Sequence, residues 1–309
     1  MVKHSVLHPE CLESLKACIR NGKTYLTTTS TLVFACGARP NSSHPCGRDR
    51  LIQYAKKHMT DYNFFMAESF FELFQNKRGK DLLSLEDKLA EYSDCIIVVL
   101  ESESAFSELG AFAIKDDLAE IMLVINDKRF AGSESFISLG PIAKVDRISK
   151  FGPTIYTDMK SILAAADEIS NRLARIKKGK ITKIHMRSYE EFSKISPKIR
   201  MVFLLDILSL LHPLSHKELI SFLKEVYGPD NSYDINVELS LLRALDLIGQ
   251  IDGYYVRKAG DHGRFIKFYY INEMTLRAQI INHYHKYSRH RASILRKNLE
   301  AAGKTQYEQ

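Results

Sequence analysis

Five short runs of consecutive apolar residues punctuate the first half of the chain: 31 to 38 (TLVFACGA), 62 to 67, 95 to 100, 121 to 125 and 154 to 156. They are continuously apolar rather than alternating, which predicts strands covered on both faces, as in a parallel sheet. The stretches between them, 45 to 57, 82 to 93, 104 to 118 and 159 to 176, carry helical spacing. Ahead of all these, 9 to 20 sets Leu12, Leu15, Cys18 and Ile19 on one helical face and stops at Asn21-Gly22. Strands alternating with helices predict a flavodoxin-like or Rossmann-like α/β domain over 1–176.

The period changes after a lysine-rich stretch, IKKGKITKIHMR, whose 177–187 portion reads as a linker. In 188–309 the apolar run 201 to 211 predicts a helix ended by His212-Pro213, and Ser215 with Glu218 forms a capping box opening a second helix. A third, 235 to 248, aligns Val237, Leu241, Leu242, Leu245 and Ile248. Two aromatic-rich runs follow in 249 to 271, around the turn Gly260-Asp261-His262-Gly263. Three helices and a basic-tipped hairpin predict a winged-helix domain, with the third helix in the DNA major groove. A small helical domain that docks on protein has the same pattern. A closing helix, about 273 to 299, ends the chain.

Length changes little, since 309 residues suit two domains. Charge changes more. Residues 1–176 hold 22 Lys+Arg against 23 Asp+Glu, whereas 177–309 hold 22 against 14, so the basicity belongs to the second half. That asymmetry suggests an activity domain carried by a nucleic-acid-binding one. The cations expected to contact nucleic acid are Arg243 on the third helix, Arg257, Lys258, Arg264 and Lys267 on the hairpin, and Arg277, Lys286, Arg289, Arg291, Arg296 and Lys297 on the closing helix. Tyr284 and Tyr287 among the last group would stack bases. A solvated basic face is the plainer alternative.

Five cysteines without a Cys-x-x-Cys pair predict reduced thiols, and histidines 283, 285 and 290 sit among cations, so no metal site is expected. No run approaches the ~20 apolar residues of a spanning helix. The first thirty residues lack the apolar centre of a secretory signal, so a cytoplasmic protein is expected.

Ligands of open α/β sheets sit at the carboxyl ends of strands. After the first run come Gly37, Ala38 and Arg39, then Asn41, Ser42, Ser43 and His44, a loop with backbone N–H groups able to meet phosphate. Glu68 follows the second run and reads equally as a helix-start carboxylate. After the third comes LESESAFSELGAFAIK (100 to 115), with Glu101, Glu103 and Glu108 among Ser102, Ser104 and Ser107. If Ser104 caps the helix there, Glu108 lies one turn inside and turns toward the crevice. The alternative is glutamates that only complement the helix dipole.

The run SDCIIVVLESESAFSELGAFA (93 to 113) resembles the nucleoside 2-deoxyribosyltransferase family, whose glutamate in this segment attacks the anomeric carbon. The matching residue is Glu108, and Phe34 falls near the family's first-strand tyrosine. The family's strand-end Asp-Gly is Glu101-Ser102 here, and its aspartate before the catalytic glutamate aligns with Ser102. A lone glutamate is also the essential feature of TIR-type NAD glycohydrolases. A transferase-like domain followed by a winged helix resembles the effector proteins of bacterial retrons, antiphage toxins held by a reverse transcriptase and its multicopy single-stranded DNA (msDNA) with its RNA. The resemblance implies a homo-oligomer or higher assembly with those partners.

N-glycosidic cleavage passes through an oxocarbenium-like state that a carboxylate can stabilise. Nicotinamide leaves NAD without needing a proton, so one acid favours NAD as substrate, with no further cofactor. Glu108 would be nucleophile or stabiliser, Ser102 and Ser104 would bind ribose hydroxyls, the Gly37 to Ser43 loop with Ala38 and Arg39 would meet the pyrophosphate, and Phe34, by the family resemblance, would be among the substrate-binding residues. The alternatives are a nucleoside or nucleotide N-glycosidase or deoxyribosyltransferase, and a non-catalytic winged-helix regulator.

Overall fold

The computed structural model describes residues 8–27, 31–39, 45–68, 86, 88–176, 181–258 and 264–307. It divides into two units, Ser30–Lys177 and a second built from Met1–Thr29 with Lys178–Gln309. The chain opens with α1 (Pro9–Arg20), whose predicted apolar face is buried, and Gly22, at φ 63°, turns it into β1 (Thr24–Leu26). β1 does not enter the parallel sheet. It pairs antiparallel with strands near residues 183 and 267, which corrects the expected 1–176 boundary: the first 29 residues belong to the second unit. The basicity becomes still more one-sided, 25 Lys+Arg against 16 Asp+Glu in the second unit and 19 against 21 in the first.

The first unit carries the five predicted strands, β2 (Thr31–Cys36), β3 (Tyr62–Phe65), β4 (Cys95–Val99), β5 (Met122–Asp127) and β6 (Ile155–Thr157). All neighbours are parallel, in the order β3-β2-β4-β5-β6. Counted from β2 this is 2-1-3-4-5, the flavodoxin-like order rather than the Rossmann one, and its switch point lies between β2 and β4. Residues of β2, β4 and β5 are buried throughout, as continuous apolar runs require. Strand alternation splits them between two faces. Val33, Ile97, Val99 and Leu123 pack with Leu51 of α2 (Gly47–His58) and with Ile169 and Leu173 of the helix Ala166–Leu173. Phe34, on the other face, meets Phe112 of α3 (Glu103–Ala113). The connecting segment 69–85, with the start of the helix expected over 82 to 93, lies outside the described residues, as does residue 87.

In the second unit, the segment expected as linker contains β7 (Thr182–Lys183), which pairs with β1. The helix Pro197–Leu211 is buried almost throughout, and the one acid interrupting it, Asp206, accepts the backbone N–H groups of Phe265 (2.9 Å) and Ile266 (2.6 Å). Next come β8 (Leu214–Ser215), the helix His216–Tyr227 with both halves of the predicted capping box, the helix Asn236–Ala244, β9 (Ile248–Ile251) and β10 (Tyr254–Arg257), forming a sheet in the order β8-β10-β9.

The hairpin differs from expectation. It turns at Asp252-Gly253, both left-handed (φ 50° and 83°) as a two-residue hairpin turn requires. The turn expected at Gly260 to Gly263 lies outside the described residues, and β11 (Ile266–Phe268) beyond it joins β1 and β7 in a separate sheet, order β11-β1-β7. The single closing helix is also corrected: Ser288 separates Glu273–Tyr287 from Arg289–Tyr307. Among the described residues no helix is long and apolar enough to cross a membrane, and no group of three His, Cys, Asp or Glu side chains could hold a metal. The five cysteines are unpaired.

Candidate active site and charged surfaces

The carboxyl ends of β2 and β4 flank the switch point, and the chain just after β4 fills part of it. Glu101 reaches the N-terminus of α2, accepting N–H groups from Gly47 (2.7 Å), Arg48 (2.9 Å) and Ala38 (3.4 Å). A helix start is an anion site, and here the protein's own carboxylate occupies it. The approach needs glycine: a Cβ at Gly47 would lie 2.7 Å from Glu101 Oε2, and one at Gly37 would lie 2.9 Å from Arg48 Cβ. The loop expected to offer its N–H groups to pyrophosphate therefore already spends that of Ala38 internally. Pro40 to His44 lie outside the described residues.

α3 begins with Ser102, not Ser104, as its cap. The Ser102 hydroxyl accepts the N–H of Ala105 at 3.4 Å and lies 3.0 Å from the Ser104 hydroxyl. Glu108, on the next turn, is half-buried, with Oε2 enclosed and without a hydrogen-bond partner among the described residues. Burial pushes its carboxyl pKa up, Glu68 adds to the rise, and Arg48 and a hydrogen bond from the Cys36 thiol oppose it. Cys36, at the end of β2 and fully enclosed, is pushed far above the usual thiol range, first by burial and then by Glu108.

Two further carboxylates, Glu68 and Glu86, interact with Glu108 through their charge. Glu68, following β3, meets the buried Arg48 guanidinium at 2.9 Å and stands 4.0 Å from the exposed Arg39. Glu86 is pushed up to about 7 by burial, then by Glu108 and Glu68. The sequence pattern marks Glu68 only as a helix start and does not mark Glu86 or Arg48.

Phe34 also departs from expectation. It has no exposure, stacks on Phe65 at 5.2 Å and leans on Phe112 at 6.3 Å, so it forms the core beneath the site rather than a wall touching ligand. A separate crevice of 490 Å³ opens at the ends of β5 and β6; Glu101, Arg50, Lys128 and Lys160 line it and Glu108 does not.

The expected nucleic-acid cations divide into three sets. Arg277 donates to the Leu210 and His212 carbonyls, and Arg291, only 3% exposed, bonds the Pro213 carbonyl and Glu218 while covering Tyr254 and Tyr284. Both brace the interior, a correction to their expected surface role. Tyr284, expected to stack bases, is likewise buried and donates to the Leu211 carbonyl. Arg257 donates to the Leu247 carbonyl, and Lys258, Arg264 and Lys297 pair with Asp246, Glu273 and Asp252. Arg243, Lys267, Lys286, Arg289 and Arg296 stand exposed.

Residues 44–250 match the STM3845 retron effector protein family. Two curated proteins of Escherichia coli are similar over most of their length. The "Retron Ec73 putative ribosyltransferase/DNA-binding protein" is 28% identical over 243 residues, 72% of this chain and 76% of the relative. Its namesake from retron Ec86 is 27% identical over 237 residues, 74% and 76% respectively. With the family matched across two thirds of its length, on a parallel α/β sheet and the unit that follows, this chain belongs to the STM3845 retron effector proteins.

Proposed function

We propose that the chain is the toxin of a retron, cleaving the bond between C1′ of ribose and the nicotinamide nitrogen of NAD with Glu108. The observation that carries this is the half-buried Glu108 carboxyl, one oxygen enclosed and unpartnered among the described residues, at the strand ends of a flavodoxin-like sheet. As the C–N bond breaks, its electron pair neutralises the pyridinium ring, and Glu108 balances the positive charge on C1′. Water then completes the sugar, giving ADP-ribose and a proton. The names of the retron Ec73 and Ec86 relatives, ribosyltransferase and DNA-binding, support the same pairing of activities.

A second substrate reading has its own support. Glu86, pushed up to about 7 by burial, would supply the proton that a neutral base needs to depart, which suits a nucleoside or nucleotide as well. Incubating the purified protein with NAD and with a panel of nucleosides and nucleotides separates the two: free nicotinamide supports the first, a free purine or pyrimidine the second.

For the second unit we propose a winged-helix module. The order helix, β8, two helices, then the β9–β10 hairpin, with β8 beside β10, supports it. The module and its exposed cations would dock on the reverse transcriptase and msDNA, in the cytoplasm, and assemble several copies of the chain. Copurification with the reverse transcriptase, destroyed by nuclease, is the check.

A further inference from the structure

The sheet β11-β1-β7 has one face in the core and one in water. Thr24, Ile266 and Phe268 point inward, with at most 1% exposure. On the other face the register sets Tyr25 of β1 directly between Lys267 of β11 and Lys183 of β7, and directly opposed residues of antiparallel strands share a face. Tyr269, two residues past Lys267, continues this row, 5.8 Å from the Tyr25 ring and 4.6 Å from that of Tyr270. Lys267 lies 5.9 Å over Tyr269, and Lys23 lies 5.9 Å over Tyr270. The surface thus alternates three aromatic rings with three ammonium groups.

Two features mark it as more than a solvated sheet. Tyr270 is 84% exposed and held at φ 68°. That left-handed conformation is strained for a bulky residue, and burial does not offset the cost. Lys258, Arg264 and Lys297 elsewhere in the unit are tied to carboxylates. Among the described residues Lys23, Lys183 and Lys267 form no ion pair. By contrast the helix Asn236–Ala244, the expected groove reader, carries one exposed cation, Arg243, and turns Glu238 inward toward Arg200.

We infer that this sheet face binds single-stranded nucleic acid, bases stacking on Tyr25, Tyr269 and Tyr270 and phosphates meeting Lys23, Lys183 and Lys267. Rings at this spacing accept any unpaired base, whereas a duplex offers no free base faces to them. The inference deepens the nucleic-acid reading of the second unit and rests on it.

The test uses the full chain and labelled 20-mers of oligo-dT, oligo-rU and a duplex, followed by anisotropy. The double variant Tyr269→Ala/Tyr270→Ala, checked by circular dichroism to be folded, should bind the single strands at least about tenfold more weakly. The Phe pair at the same positions should restore binding, because the rings return. Lys183→Ala with Lys267→Ala should flatten the log–log salt dependence by about 1.4. Ring-dependent binding of either single strand supports the proposal. Wild-type binding that ignores the loss of both rings overturns this surface and leaves nucleic-acid binding elsewhere in the unit. Equal loss for duplex and single strands overturns the stacking assignment. If the wild-type chain binds none of the three probes, the nucleic-acid reading itself fails.

Discussion

Arg48 is buried, and its Nη1 lies 2.9 Å from Glu68 Oε1, so the guanidinium nearest the candidate site is spent on Glu68 rather than on Glu108. Glu108 has no ion pair among the described residues and feels Arg48 only across space, as a partial counterweight to burial and to Glu68. In the proposed reaction, so weakly satisfied a carboxylate would be the more reactive once ionised.

The pH profile should report that balance. Glu108 must be ionised to attack, so kcat/KM falls as pH falls through its raised pKa. Arg48→Gln removes the opposing cation and frees Glu68, raising that pKa further. The acid limb of the profile should therefore move to higher pH. Because a buried pair is broken, unfolding stability should also drop by about 3 kcal/mol.

Gly47→Ala should damage the frame without touching the carboxylates facing Glu108. Its Cβ would meet Glu101 Oε2 at 2.7 Å and push that carboxylate off the start of α2. A cost of about 1–3 kcal/mol is expected, read as a lower melting temperature of the first unit.

The five strands were legible in the sequence because each has a local signature, a continuous apolar run, and a carboxylate just past the third run is what marks Glu108 as the candidate. β1 and β7 were not. They are three and two residues long, and β1 gains its meaning from partners at 182–183 and 266–268, far along the chain. Arg277 and Arg291 read as surface cations because nothing local distinguishes an arginine that meets phosphate from one that satisfies the carbonyls at 210, 212 and 213. Glu86 was hidden for the same reason, since its neighbours Glu68 and Glu108 are brought to it only by the fold.

That topology makes a strong prediction. Leu26 of β1 is opposite Thr182 of β7, so the whole parallel unit is inserted in what would otherwise be a hairpin loop. Replacing residues 28–180 with a four-residue glycine-rich loop should give a folded protein that retains nucleic-acid binding and lacks glycosidase activity. Simple truncation to 188–309 should fold poorly, because it strips β1 and β7 from β11. Circular dichroism and thermal melts of the two proteins decide the point.

Asp206 should give the second unit a characteristic pH dependence. Its carboxyl is pushed up to about 7 by burial, against the two N–H bonds that favour its charge. A folded-state pKa above the unfolded one means that the folded state binds the extra proton. The contribution of Asp206 is therefore fullest below about 4 and is lost as pH rises toward 7, with a slope approaching about 1.4 kcal/mol per pH unit. Asp206→Asn should flatten the denaturant-unfolding stability across that window.

The most direct measurement is nicotinamide release from NAD by the wild-type protein and by Glu108→Gln, both purified with their nucleoprotein partner and both shown to be folded. The substitution keeps size and hydrogen bonding and removes the charge facing C1′. Glu108 as nucleophile or oxocarbenium stabiliser predicts release by the wild type and a loss of at least about a thousandfold in the variant. Release by folded Glu108→Gln at a rate near the wild type's would contradict it.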